Sequence, residues 1–154
     1  MAAFFCDSSA IVKRYVNETG SNFVEGLTAA KNGNVILLAR ITPVEVAAAF
    51  ARRQKGGSLD AVDAKKALIA FQHDVTNSYF TVEITPLLAS RAITLATKHA
   101  LRGYDAVQLA AALEANDERT ANLLSPLILI SADDELSAAA KAEGLNVEDP
   151  NDHP

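Results

Sequence analysis

The 154-residue chain is short of several things, and each shortage narrows what it can be. It has a single cysteine, Cys6, which excludes an intrachain disulfide and a cysteine metal centre. Cys6 lies inside the apolar run AAFFC and reads as a small buried residue. Basic residues are in the minority: 14 Lys and Arg against 19 Asp and Glu leave a net charge of −5. Proteins that coat long duplex DNA are normally basic, so the balance argues against that class. It does not exclude a nuclease, whose clustered acids lower the total while a local basic patch does the binding. No apolar run approaches the roughly 18 residues of a membrane span. The N-terminal apolar stretch lacks a basic flank and stops at Asp7, so neither a signal peptide nor a membrane partner is expected and the chain reads as cytoplasmic. There is no nucleotide-binding glycine loop, no internal repeat and no low-complexity segment. His73, His99 and His153 are scattered, and none is placed to compete for a metal.

What is there suits one α/β domain. With 49% hydrophobic and 21% charged residues, the composition is that of a compact fold. A single domain is expected over 1–148, with a polar tail, DPNDHP (149–154), expected to fray. Short β-like runs alternate with helical patterns, which implies a parallel sheet of four to five strands flanked by helices. The runs are AFFC (3–6), VILLA (35–39), YFTVEI (79–84), LILIS (127–131) and LNVE (145–148), the last as an edge. Helices are expected from Ser8 to Val16 and from Gly20-Ser21 to about Asn32. Thr42-Pro43 starts a third, with Thr as N-cap and Pro at the first helical position, and it stops at Gly56-Gly57. Ser58 is expected to cap a fourth, whose apolar face carries Ala64, Leu68, Phe71 and Val75; the two make a protruding hairpin. Thr85-Pro86 repeats the same start, giving a helix to about Ala100. RGYDAVQLAAAL (102–113) then reads as a buried helix, followed by a polar connection, NDERTANLLSP, and a helix from Asp133 to Glu143.

Four acids stand at helix starts: Asp7, Glu45, Asp105 and Asp133. Helices that follow strands of a parallel sheet begin at the strands' carboxyl ends, where such folds bind ligands. Taken singly, each acid has an ordinary explanation. Thr42-Pro43-Val44-Glu45 fits a capping box, and Asp7 and Asp133 fit N-caps. Taken together they do not. Two carboxylates about 4 Å apart repel by about 4 kcal/mol at an effective dielectric near 20, and a divalent cation reverses that sign. Hard ions such as Mg²⁺ and Mn²⁺ choose oxygen ligands.

The stretches CDSSAIVKRY, TPVEVAAAF, LRGYDAVQLAAAL and LISADDELSAAAKAEGL resemble the PIN-domain nucleases, and within them the VapC-type toxins of toxin–antitoxin pairs. The resemblance covers nearly the whole chain, and its most specific part is Gly-Tyr-Asp-Ala before the alanine-rich helix. It implies a three-layer fold and a Mg²⁺- or Mn²⁺-dependent site that cleaves RNA. Asp7 and Asp105 would bind the ion directly, with Glu45 and Asp133 acting through water or from behind. Ser131 aligns with a Ser/Thr that positions metal or water, and Asp134 is a second acid beside Asp133. A homodimer and a cognate antitoxin are also implied, with the hairpin helices as a candidate contact face.

An anionic strand needs cations. Lys13 and Arg14 follow Asp7, Arg52 and Arg53 lie beyond Glu45, and Arg102 precedes Asp105; these are the candidate phosphate contacts. Two other readings compete. One is a PIN-like protein that binds RNA or a partner without cutting, its acids acting as caps. The other is a metal-dependent phosphohydrolase of small esters.

Overall fold

Successive residues of a strand go to opposite faces of its sheet, and here that alternation builds two cores. A computed structural model describes residues 1–154. In β1 (Ala3–Cys6), Phe5 joins one apolar cluster while Phe4 and Cys6 join the other. β2 (Val35–Ala39) divides in the same way: Leu37 and Ala39 on one side, Ile36 and Leu38 on the other. The remaining strands are β3 (Phe80–Val82), β4 (Ile128–Ile130) and β5 (Asn146–Glu148). All pair in parallel, in the order β3-β2-β1-β4-β5. β1 sits at the centre, with Phe4 opposite both Ile36 and Ile128.

Helices α1 (Ser8–Ile11), α2 (Ser21–Thr28), α3 (Thr42–Lys55) and α4 (Ala61–Asn77) cover one face, where Ile11, Leu27, Val46, Phe50 and Phe71 are buried. The other face carries α5 (Pro86–His99), α6 (Gly103–Ala121) and α7 (Asp134–Ala142), with Leu88, Leu109 and Leu136 fully buried. Each such Leu or Phe contributes about 1.5–3 kcal/mol of burial, so the three layers hold the strand ends rigidly. Cys6 is buried, and its thiol is pushed up, first by burial and then by Asp7 beside it. No helix is long and apolar enough to cross a membrane.

Several expected boundaries move, for local reasons. Helix α3 is preceded by Ile41 rather than capped by Thr42, whose hydroxyl accepts from Gln108 instead. Asp60, not Ser58, caps α4 by accepting from the Asp63 amide at 2.8 Å. Thr85 caps α5 as expected, accepting from Leu88 at 3.1 Å. The segment Asn116–Ala121, expected as connection, continues α6. It is tied down by an ion pair from Arg91 to Asp117 at 2.8 Å and by Asn116, whose side chain accepts from the Leu127 amide at 3.1 Å. The tail expected to fray folds back as a 3-10 turn over Pro150–Asp152. Pro150 is buried, and the His153 ring stacks on Phe23 at 4.0 Å. Gly20, with φ of +85°, makes room for this: a Cβ there would lie 2.3 Å from the Pro150 carbonyl oxygen. On the hairpin, Val46, Ala49, Phe50, Ala67 and Phe71 of the candidate contact face are intramolecular core.

Candidate active site

Asp7 is the first residue past β1. It stands in extended backbone at the N-cap of α1, and its carboxylate accepts from the Ala10 amide at 2.9 Å. The Ser9 hydroxyl donates to it at 2.7 Å and the Ser131 hydroxyl at 2.8 Å. Only 3% of Asp7 is exposed. Burial pushes its carboxyl up to about 7 and Asp133 adds to the rise, while the three hydrogen bonds pull against it. Ser131, at the end of β4, also accepts from the Asp133 amide at 3.1 Å. One buried hydroxyl thereby joins the start of the β1 loop to the start of the β4 loop. Asp133 in turn caps α7, accepting from Leu136 at 2.8 Å.

Glu45 belongs to the first turn of α3, yet it does not close a capping box. Its carboxylate turns inward, accepting from Ser8 Oγ at 3.2 Å and from Gln108 Nε2 at 2.7 Å. Gln108 is buried and also donates to Thr42 Oγ1 at 2.9 Å. Its Oε1 is the one buried side-chain polar atom without a partner, an arrangement that costs about 1–3 kcal/mol. Asp105, three residues earlier on α6, is half-buried, and its carboxyl is pushed up to about 6. Burial is the largest cause, followed by the charges of Asp133 and Glu45; Arg102 opposes them and Glu135 adds to them.

The four acids thus form one electrostatic group at the carboxyl edge of the sheet, and none of them makes an ion pair with a Lys, Arg or His. They do not close into a contact cluster: no three His, Cys, Asp or Glu side chains converge closely enough to hold a metal on their own. What the edge offers is an all-oxygen donor set with uncompensated negative charge, which is the chemistry a hard divalent ion accepts.

The other candidates divide. Asp134 is exposed and lines a separate depression with Lys141 and Glu148, away from Asp7 and Asp105. Lys13 is only 6% exposed and is committed to the Thr19 carbonyl at 2.9 Å and Glu18 at 3.3 Å. Arg14, in the 3-10 turn after α1, pairs with Asp74 and lines a separate depression that none of the four acids lines. Arg52 and Arg53 line a cleft of about 530 Å³ whose walls include Ser8, Glu45 and Tyr104. Arg53 is held there by Glu18 at 3.0 Å. Arg102 is exposed beside Asp105.

Three residues that position the acids had no role in the sequence reading: Ser8, Ser9 and Gln108. Only Gln108 carried a signal, as the lone polar residue in the run from Ala106 to Leu113, one helical turn after Asp105.

No protein-family model matches the chain. It is 32% identical over 147 residues to Ribonuclease VapC45 of Mycobacterium tuberculosis strain CDC 1551 / Oshkosh, an alignment covering 96% of this chain and 95% of that protein. The same figures hold for Ribonuclease VapC49 of Mycobacterium tuberculosis strain ATCC 25618 / H37Rv. Three solved structures share the fold. PAE2754 from Pyrobaculum aerophilum superposes with a TM-score of 0.67 at 18% identity, covering 99% of this chain and 92% of its own. VapBC2 from Rickettsia felis, solved bound to a DNA fragment from its promoter, gives 0.64 at 11% identity over 96% and 98%. VapC20 of Mycobacterium tuberculosis, a sarcin-ricin loop cleaving toxin, gives 0.63 at 16% identity over 88% and 94%.

Proposed function

This chain belongs to the VapC family of PIN-domain ribonucleases, and from that premise we propose that it is a Mg²⁺- or Mn²⁺-dependent endoribonuclease acting as a VapC-like toxin. The observation that carries the proposal is the group of four carboxylates, Asp7, Glu45, Asp105 and Asp133, coupled to one another and paired with no cation of the chain.

Asp7 and Asp105 are the direct ligands. Both carboxyls are raised by burial and like charge, the state a bound cation relieves. Mg²⁺ is usually held by one or two carboxylates and keeps several waters. Glu45 and Asp133 therefore act through water, which suits a set of acids wider than a contact cluster. The ion supplies a Lewis acid that makes water more acidic and offsets charge on the phosphate oxygens.

The chain's own groups do the rest. Ser9, Ser131 and the Ala10 amide fix both oxygens of Asp7. Ser8 and Gln108 fix Glu45, leaving its carboxylate oriented toward the cleft it lines. With a pKa near that of the surroundings, an unliganded Asp105 takes a proton as pH falls below about 6, so acid competes with the ion for this oxygen. Arg52, with Arg53 and Arg102 in support, draws the phosphate backbone along the cleft.

The catalytic unit is the single domain 1–148, working in the cytoplasm as a homodimer held in check by a cognate antitoxin. Support for the antitoxin is the family together with the fold shared with VapBC2. The test is cleavage of RNA by the purified chain with Mg²⁺, Mn²⁺ or EDTA. Cleavage that needs the ion and is lost in both Asp7→Asn and Asp105→Asn is expected. RNA binding without cleavage under any ion would favour the non-cutting reading.

A further inference from the structure

The chain's three tyrosines differ sharply in their commitments. The Tyr15 and Tyr79 hydroxyls stand 2.6 Å apart, and Tyr15 also bonds Asp74 at 2.7 Å. Tyr104 is 63% exposed, in the first turn of α6 and immediately before Asp105, and it joins neither apolar core. An aromatic ring held in water forgoes the burial that makes such residues useful to a fold. Its surroundings suggest another use. Tyr104 lines the same cleft as Val44, Ala48 and Arg52, with Ser8 and Glu45 beside them.

Val44, Ala48 and Arg52 are spaced four apart and so lie along one face of α3. From the first to the last the helix rises about 12 Å. Val44 is 63% exposed, so the α3 side of the cleft is apolar near Glu45 and becomes cationic toward Arg52. Arg52 has no carboxylate partner, whereas Arg53 is held by Glu18. An exposed aromatic ring and an apolar helix face near Glu45, with a free guanidinium further along, complement a base and a neighbouring phosphate of one strand. This arrangement fits a duplex poorly, because paired and stacked bases have no free face to offer.

We propose that Tyr104 is a substrate-positioning residue: an unpaired RNA base stacks on its ring beside the scissile phosphate, while Arg52 holds a neighbouring phosphate. The assignment deepens the ribonuclease reading and rests on it. Base–aromatic stacking is tolerant of base identity because every base has a π-face. The ring therefore selects for an unpaired nucleotide, not for a particular letter.

The chain has no tryptophan, so tyrosine emission reports directly, and Tyr104 is its most exposed source. Short single-stranded RNA is titrated into the Asp7→Asn protein with Mg²⁺ and into the wild type with EDTA. Emission and anisotropy of a labelled strand are followed together. Quenching that saturates with binding is expected, and an oligonucleotide lacking one base at the stacked position loses it. Tyr104→Ala is expected to weaken binding about 5- to 100-fold and, in wild-type background, to raise KM with kcat nearly unchanged. Tyr104→Phe keeps the ring and should retain both values. RNA that binds with equal affinity to wild type and Tyr104→Ala, without quenching, overturns this assignment alone. Absence of any RNA binding or cleavage by the wild type overturns it together with the ribonuclease reading.

Discussion

Gln108 donates to Glu45 at 2.7 Å from a helix on the opposite face of the sheet. The bond reaches between the two helical layers at the carboxyl edge of the strands, and the same amide nitrogen also holds Thr42. Replacing Gln108 by Leu removes the donor while filling the space. Groups that orient a metal-site carboxylate typically account for 10- to 100-fold in affinity or activity. Gln108→Leu is therefore expected to cut RNA cleavage by about that factor with the far-ultraviolet circular dichroism unchanged.

Asp7→Asn and Asp105→Asn are expected to lose cleavage by about 100-fold or more, since on the proposed assignment each removes a direct ligand rather than a supporting group. Gel analysis of a defined RNA checks this. Full activity in either variant would remove that residue from the site.

Metal should also appear in stability. An ion at about 100 times its Kd adds about 2.7 kcal/mol, or a rise in thermal midpoint of roughly 5–10 °C for a domain of this size. Wild type in excess Mn²⁺ is expected to show that rise over EDTA, and Asp105→Asn is expected to lose most of it. In EDTA the variant should match or exceed wild type, because one of the mutually repelling charges is gone. If it is simply less stable in both, Asp105 is a structural residue.

The pH dependence without metal follows from the same two carboxyls. Asp7 and Asp105 titrate near 7 and 6 in the folded chain, above the ordinary carboxylate value. The folded state thus binds protons more readily than the unfolded one, and stability falls as pH rises from the ordinary carboxylate range at about 4 to about 7, levelling off above it. In EDTA the thermal midpoint at pH 5.5 should exceed that at pH 8, and Asp105→Asn should flatten part of the slope. With Mn²⁺ the trend should weaken, since the ion binds the deprotonated acids and gains as protons leave.

Gly20→Ala tests the folded-back tail. The added methyl meets the Pro150 carbonyl and the backbone needs a positive φ, so a loss of about 1–3 kcal/mol is expected. Cleavage by the folded fraction should persist, because Gly20 lies outside the carboxylate group.

Much of the fold was legible because short apolar runs and Thr-Pro helix starts are local signals. AFFC, VILLA and LILIS each contain a strand within a residue of its ends. The polar run Asn116–Ala121 misled because its helix is secured by Arg91 and Leu127, partners 26 and 11 residues away in the chain. For the site, the acids at strand ends could be read from topology alone. Their supports were legible only in part: the family resemblance marked Ser131, which reaches Asp7 across 124 residues, but nothing around Ser8 or Ser9 marks a hydroxyl as an orienting group. Lys13 looked like a free cation, yet its charge is spent on holding the turn at Glu18 and Thr19.

The buried thiol next to Asp7 has a practical side. Reactive cysteines are accessible thiolates, and Cys6 is neither accessible nor inclined to ionise. Maleimides and mild peroxide should therefore pass it by, leaving the neighbouring carboxylate undisturbed under oxidative stress. The native chain is in effect silent to thiol labelling. A cysteine introduced at the exposed hairpin tip, for instance by Ser58→Cys, would then carry a dye or spin probe alone, without first mutating the native thiol.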